Sequence, residues 1–326
     1  MQKFITTLTL GIILLAGCSP QSKWVKIQPD TNPPPIAQSG FAYDSNSNEA
    51  VVFGGIYADQ WSDDTWIWNG DDWRKVDITI KPPAREKTAM AYDKKRDRVV
   101  LFGGRDPNSL FNDTWEWDGK TWQLMEPVHK PPARCCHAMA YDSVQKKILL
   151  YGGWNEKTNQ FFNDTWAWDG KDWVKLVGDE VPLTAAHTMV SISSEGKVIA
   201  VPAPESVNTW EWNGSQWLEV PSHPDPSRQD SRSAYDRINH RTIVFGGYGY
   251  GKFMDDLWIY DGIMWNQLNV PVGPQARFGH ILFYDQERKS IVLFGGAGQE
   301  GVLGDTWELK LAGNISSLII KTTPTP

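Results

Sequence analysis

The chain has 326 residues, among them 18 Trp, 28 Gly, 21 Pro and only 3 Cys, and its 32 Lys and Arg stand against 39 Asp and Glu for a net charge of −7. This length fits a single closed all-β domain, and so much Trp, Gly and Pro speaks against a helix-rich fold. An acidic surface repels phosphate backbones, so nucleic acid is excluded as the expected partner.

The chain opens MQKFITTLTLGIILLAGC, with Lys3, an apolar run from Phe4 to Leu15, and then Leu15-Ala16-Gly17-Cys18. The run is shorter than the roughly 20 residues a transmembrane helix needs, which predicts a signal segment over residues 1–17. Its last four residues resemble a bacterial lipobox. That resemblance implies cleavage before Cys18, lipidation of the Cys18 thiol, and residues 18–23 as a tether to the bilayer; an ordinary secretory signal is the alternative. Ser19 in place of Asp implies, on the same resemblance, the outer membrane or the periplasm-facing side of a Gram-negative envelope. The other two cysteines, Cys135 and Cys136, are adjacent and cannot staple distant strands, so no disulfide framework is expected.

From residue 24 onward the chain repeats. Gly-Gly closes an apolar run at Gly54-Gly55, Gly103-Gly104, Gly152-Gly153, Gly246-Gly247 and Gly295-Gly296, and a second marker places Trp66, Trp115, Trp166, Trp210, Trp258 and Trp307 once per unit of about 50 residues. The markers define six units. Unit two is complete: Pro83-Ala84-Arg85, Ala91-Tyr92-Asp93, Leu101-Phe102-Gly103-Gly104, Thr114-Trp115-Glu116-Trp117, then Asp118-Gly119 and Trp122. Trp-x-Trp alternates with the strand period of two, and Asp-Gly between such runs signals a hairpin. Four short strands per unit, with Gly-Gly followed by Trp, resemble the kelch repeat over residues 24–311. The expected fold is an all-β, six-bladed kelch-type β-propeller. Unit six lacks its fourth strand, and Trp24-Val25-Lys26-Ile27 matches the missing pattern, so an N-terminal strand is expected to close the ring. Unit four is degenerate, reading Val201-Pro202 where Gly-Gly belongs, and residues 312–326 read as a polar tail with little structure.

In kelch folds the loop entering the innermost strand and the loop after Gly-Gly open on one face, which is where ligand contacts are implied. Arg85, Arg134, Arg228 and Arg277 are repeat-equivalent in that first loop, while Ile36 and Thr184 replace them in units one and four. Four arginines so placed could grip a ligand carboxylate, or could pair with blade carbonyls and acids as a repeat feature. Sixteen tryptophans occupy repeat positions and read as packing. The other two, Trp61 and Trp154, lie in the loops after Gly-Gly with Tyr57, Phe161, Tyr248 and Tyr250, where aromatics suit stacking on sugars or gripping a protein segment.

Three residues beyond the repeat arginine come Thr88, His137, Ser231 and His280, with Ser39 and His187 in the remaining units; a His here is expected to satisfy backbone groups. The copper oxidases of the kelch class are similar at fold level only, because their crosslinked Cys-Tyr and His set has no counterpart here. Cys135 and Cys136 read as buried thiols on opposite faces of one strand, with a vicinal disulfide as the alternative. No metal set, cofactor loop or phosphate-binding glycine loop is read. The resulting expectation is an exported, lipid-anchored, monomeric, non-catalytic module that binds a carbohydrate or protein through the arginine and aromatic face. The alternative is a carbohydrate-active enzyme: resemblance to sialic acid mutarotases implies Glu86 as general acid/base and Arg134 or Arg277 as carboxylate clamp, with His137 a further catalytic candidate.

Overall fold

The computed structural model describes residues 22–177, 182–201, 208–221, 226 and 228–320. The signal segment, Cys18, the degenerate loop at 202–207 and the last six residues lie outside them. Six four-stranded antiparallel sheets stand around a central channel. Blade 2 shows the plan, running outward from the channel through Ala89–Asp93, Arg98–Phe102, Thr114–Trp117 and Trp122–Met125.

The turns follow from residue chemistry. Asp93 Oδ1 accepts the N–H groups of Lys95 and Arg96, and Asp118 Oδ1 accepts those of Lys120 and Thr121 around Gly119 at φ 92°. These side chains mimic the backbone acceptor of a tight turn and so fix the register, with Trp117 opposite Trp122.

The ring closes as expected. Lys23–Ile27 pairs antiparallel with Thr306–Lys310, Trp24 opposite Leu309, as the outer strand of the blade formed by Ile281–Asp285 and Ser290–Phe294. The innermost strands lie against one another all the way round, including Gly40–Asp44 against Ile281–Asp285. A ring closed by its own first strand completes the last blade and leaves only short outer edges.

The repeat tryptophans weld neighbouring blades. Trp122 Nε1 donates to Thr65 Oγ1 of the preceding blade at 2.9 Å, and the same bond recurs as Trp73 to Thr306, Trp173 to Thr114, Trp217 to Thr165 and Trp265 to Thr209. At the closure Trp24 meets a blade with Leu257 in the Thr place, and its ring instead packs 5.3 Å from Phe245.

The tail departs from expectation. Ser316–Leu318 forms a 3-10 turn; Asn269 N donates to Leu318 O and Ile320 N to Gln267 O, which docks the tail on the outer strand Trp265–Leu268. Ile315, Leu318 and Ile319 pack on the cluster around Trp24, an apolar content that outweighs the polar residues between them. Among the described residues no helix is long and apolar enough to cross a membrane.

Candidate functional site

One end of the channel is rimmed by a backbone ring. Gln38, Lys87, Cys136, Ala186, Asp230 and Gly279 occupy one repeat position, all with φ between 52° and 62°. Each donates its N–H to the carbonyl of the equivalent residue in the preceding blade, from Gln38 to Gly279 at 2.8 Å, around to Gly279 on Asp230 at 2.9 Å. This left-handed turn aims each amide tangentially, so six hydrogen bonds close a collar.

Around the collar stand the hairpins that follow Gly-Gly. Each is tied to the residue just before the collar position of its own blade, as in Ala37 with Ile56, Glu86 with Arg105, Cys135 with Trp154, Gln229 with Tyr248 and Phe278 with Ala297. The hairpins Ile56–Tyr57 with Gln60–Trp61, Trp154–Asn155 with Gln160–Phe161, and Tyr248–Gly249 with Lys252–Phe253 bring the off-pattern aromatics to this face. Tyr250 is 91% exposed, Tyr57 45%, Phe161 43% and Tyr248 39%. Trp154 stacks on Phe161 at 6.0 Å, and the indole N–H groups of Trp61 and Trp154 are buried without a partner among the described residues.

The four arginines do not belong to that face. Arg85, Arg134 and Arg277 are fully buried and Arg228 nearly so, each committed to an aspartate of its own blade. Arg134 reaches Asp164 Oδ1 at 2.6 Å, Asp164 Oδ2 at 3.0 Å and Gly152 O at 2.9 Å, and Phe162 covers its guanidinium at 3.9 Å. Arg85 holds Asp113 and Arg277 holds Asp305 through the same pair of nitrogens, and Arg228 holds Asp256 through Nη1 alone. The arginine backbone also joins blades, with Gly104 N donating to Arg134 O and Arg134 N to Phe111 O. Sealed from solvent and committed to these partners, the guanidinia do not present themselves to a ligand on the hairpin face; pairing within the blade is their role.

The catalytic candidates are also enclosed. Glu86 is buried and bonded to Arg105, which also binds Glu156. His137 is buried edge-on to Phe102 at 5.5 Å, with the Phe102 backbone as its polar neighbour. Burial above all, with Arg134 and His187 nearby, holds its pKa well below the usual value, so the imidazole is neutral. His187 and His280 repeat this arrangement against Tyr151 and Phe245.

Cys135 and Cys136 do not sit on opposite faces of a strand, because Cys136 takes the collar turn at φ 62°; their Sγ atoms are 2.9 Å apart. The hydrogen bond from Cys136, helped by Lys87 and Arg105, outweighs burial and holds the Cys135 thiol below its ordinary range. The same bond, with burial, pushes Cys136 well above it. No group of three or more His, Cys, Asp or Glu suited to a metal is present among the described residues.

Sequence reasoning looked to the rim of the channel and missed what lies inside it. The channel encloses a cavity of about 280 Å³ lined by the innermost strands, and Arg232 of blade 5 lines it without an ion pair among the described residues. A signal existed: the repeat places Gly40, Ala89, Ala138, Thr188 and Ile281 at the equivalent position, and Arg232 breaks that series of uncharged residues.

Comparison with known proteins bears on the scaffold. A family model described as the KLHDC2/KLHL20/DRC7 Kelch-repeats domain matches residues 69–203. Adagio-like protein 1 of Oryza sativa subsp. japonica is 31% identical over 99 residues, covering 29% of this chain and 15% of that protein. F-box/kelch-repeat protein At1g51550 of Arabidopsis thaliana is 35% identical over 99 residues, covering 25% of this chain and 20% of that protein. The chain therefore spans a fifth or less of the length of these curated relatives. Among solved structures, one titled "Structure of YjhT" matches with a TM-score of 0.66 at 14% identity, over 85% of this chain and 96% of that one. Identity that low speaks to the fold alone. Repeat, strand order and fold likeness agree on a six-bladed kelch-type β-propeller, a scaffold that serves binding.

Proposed function

We propose that the chain is an exported, lipid-anchored binding module that engages a carbohydrate or protein ligand on the hairpin face around the collar, without catalysis. The observation that carries this reading is the gathering of Tyr57, Phe161, Tyr248 and Tyr250, all exposed, on hairpins that stand on one face. Exposed aromatics on a rigid scaffold offer large apolar area with polar handles and little entropy to lose. Support for binding over catalysis comes from Glu86 and His137, the first tied to Arg105 and the second neutral and sealed. Support for the anchor comes from Leu15-Ala16-Gly17-Cys18 behind the apolar run.

The test is a glycan array and a pull-down with the purified chain, alongside a variant carrying Tyr57→Ser, Phe161→Ser and Tyr250→Ser. These exposed positions leave the core untouched, so the variant should fold normally and lose the ligand. Ligand retained at full strength would overturn the aromatic face as the binding surface. Membrane fractionation of Cys18→Ser tests the anchor, with release to the soluble fraction expected.

A further inference from the structure

We infer that the central channel holds a small molecule bearing an oxyanion, with Arg232 as its anchor. Four cationic side chains line the cavity, Lys87, Lys94, Arg232 and Arg237, against a single carboxylate, Asp230. None of the four forms an ion pair within 4.0 Å among the described residues. Elsewhere the chain pairs its enclosed arginines: Arg85, Arg134, Arg228, Arg277 and Arg241 each hold an aspartate. Leaving channel cations bare in a chain of net charge −7 inverts the local sign, and a narrow low-dielectric passage focuses such a field.

The anchor is specific. Among the described residues Arg232 makes one side-chain hydrogen bond, from Nη1 to Ser231 O at 3.1 Å, which leaves most of its five N–H donors for a guest. Asp230 is its electrostatic neighbour and also that of Lys87, but the carboxylate is already engaged by Gln38 Nε2 at 3.1 Å. Beside Arg232, Thr188 and Ser233 share a hydroxyl pair at 2.8 Å. In equivalent places of the other blades Gly40, Ala89 and Ala138 are small, which supplies the room. About 280 Å³ suits a small molecule and not a folded segment. A planar guanidinium fork matches a carboxylate or a phosphoryl group through two parallel bonds. The collar narrows one end; Lys94 and Arg237, in turns after the innermost strands, line the other end and steer an anion inward.

The test uses the full chain and three probes, benzoate, inorganic phosphate and the uncharged benzamide, followed by saturation-transfer NMR and calorimetry. At least one oxyanion should bind and benzamide should not, and which oxyanion binds separates a carboxylate guest from a phosphoryl one. Arg232→Gln should weaken binding by at least about tenfold, and Arg232→Lys, which keeps the charge but not the fork, by less. Both variants should keep the wild-type near-UV signal; if Arg232→Gln fails to fold, the Arg232→Lys comparison decides. The hairpin-face variant should bind the probe unchanged, so failure here is distinguishable from failure of the aromatic face. Binding of neither oxyanion, equal binding of benzamide, or undiminished affinity in both Arg232 variants overturns the proposal.

Discussion

Arg134 lays two nitrogens of its guanidinium on the two oxygens of Asp164, at 2.6 Å and 3.0 Å, with Arg134 fully buried and Asp164 nearly so. Asp164 also accepts the Trp166 indole N–H at 2.7 Å, so one carboxylate ties the loop before the innermost strand to the third strand of blade 3. Removing one partner of such a pair strands the other charge. Arg134→Ala should therefore cost about 3–5 kcal/mol, and Asp164→Asn a comparable amount, read from urea unfolding midpoints. A loss below about 1 kcal/mol would show that the pair is no more than a surface ion pair in worth.

Acid should weaken the fold through its histidines before its carboxylates. Burial depresses the pKa of His137, His187 and His280, that of His187 to about 3, whereas in an unfolded chain each titrates near its ordinary ~6.5. Below that value the unfolded state takes up protons the folded state refuses. The stability these neutral rings contribute is thus present above about 6.5 and falls as pH drops, for His187 until pH nears 3, by roughly 1.4 kcal/mol per pH unit for each histidine. Asp164 and Asp305, whose arginine partners outweigh burial and hold them below the usual carboxylate range, keep their contribution until pH falls below the ordinary carboxylate value of ~3.9, well under the pH at which the histidines begin to act. Urea midpoints at pH 7.5, 6 and 5 should fall steadily, and His187→Gln should flatten the slope by about one proton. An unchanged slope in that variant would count against a neutral buried His187.

Blade number and closure were legible because Gly-Gly and Trp recur with the period of one blade, and because Trp24 fills the vacancy left by unit six. The arginine role was less legible, since its partner lies 28 to 30 residues away across two turns. A clue was there: the units with Arg85, Arg134, Arg228 and Arg277 all carry Asp113, Asp164, Asp256 and Asp305, whereas unit four has Thr184 and Asn208 at the two places. Arg232 escaped notice for a different reason. Along an innermost strand, period-two alternation says which way a side chain leans but not that a hole lies there, because the channel forms only when six strands meet.

The clasp makes a comparison between equivalent tryptophans informative. Trp122 donates to Thr65 Oγ1 at 2.9 Å, while Trp24, facing a blade with Leu257 in that place, relies on packing against Phe245. Trp→Phe keeps most of the buried ring and deletes the N–H. Trp122→Phe strands a buried hydroxyl and should cost about 1 kcal/mol more than Trp24→Phe in paired urea titrations. Trp24→Ala, which empties the ring's site in the closing blade, should cost about 3–5 kcal/mol. Equal costs for the two Phe variants would mean that the Trp to Thr bonds add nothing to the seams between blades.

The glycine pairs are the point where backbone, seam and hairpin face meet. Gly103 sits at φ 63°, and a Cβ there would lie 2.7 Å from Arg134 O, the carbonyl that accepts the Gly104 N–H at 3.0 Å. The obstacle is backbone of the next blade, which cannot swing aside as a long side chain could. Gly119, at φ 92° in an outer turn, has nothing within 4 Å of its would-be Cβ. Gly119→Ala thus meets only the left-handed backbone penalty of about 1–2 kcal/mol, whereas Gly103→Ala must also part blades 2 and 3 and should cost about 3 kcal/mol or more. Because Phe111 N donates to Gly104 O, the same substitution should loosen the hairpin that follows Gly104, seen as faster amide hydrogen exchange over residues 105–111. Equal stability of the two alanine variants would show that the seam yields, and that the repeated Gly-Gly is kept at these positions for its φ alone.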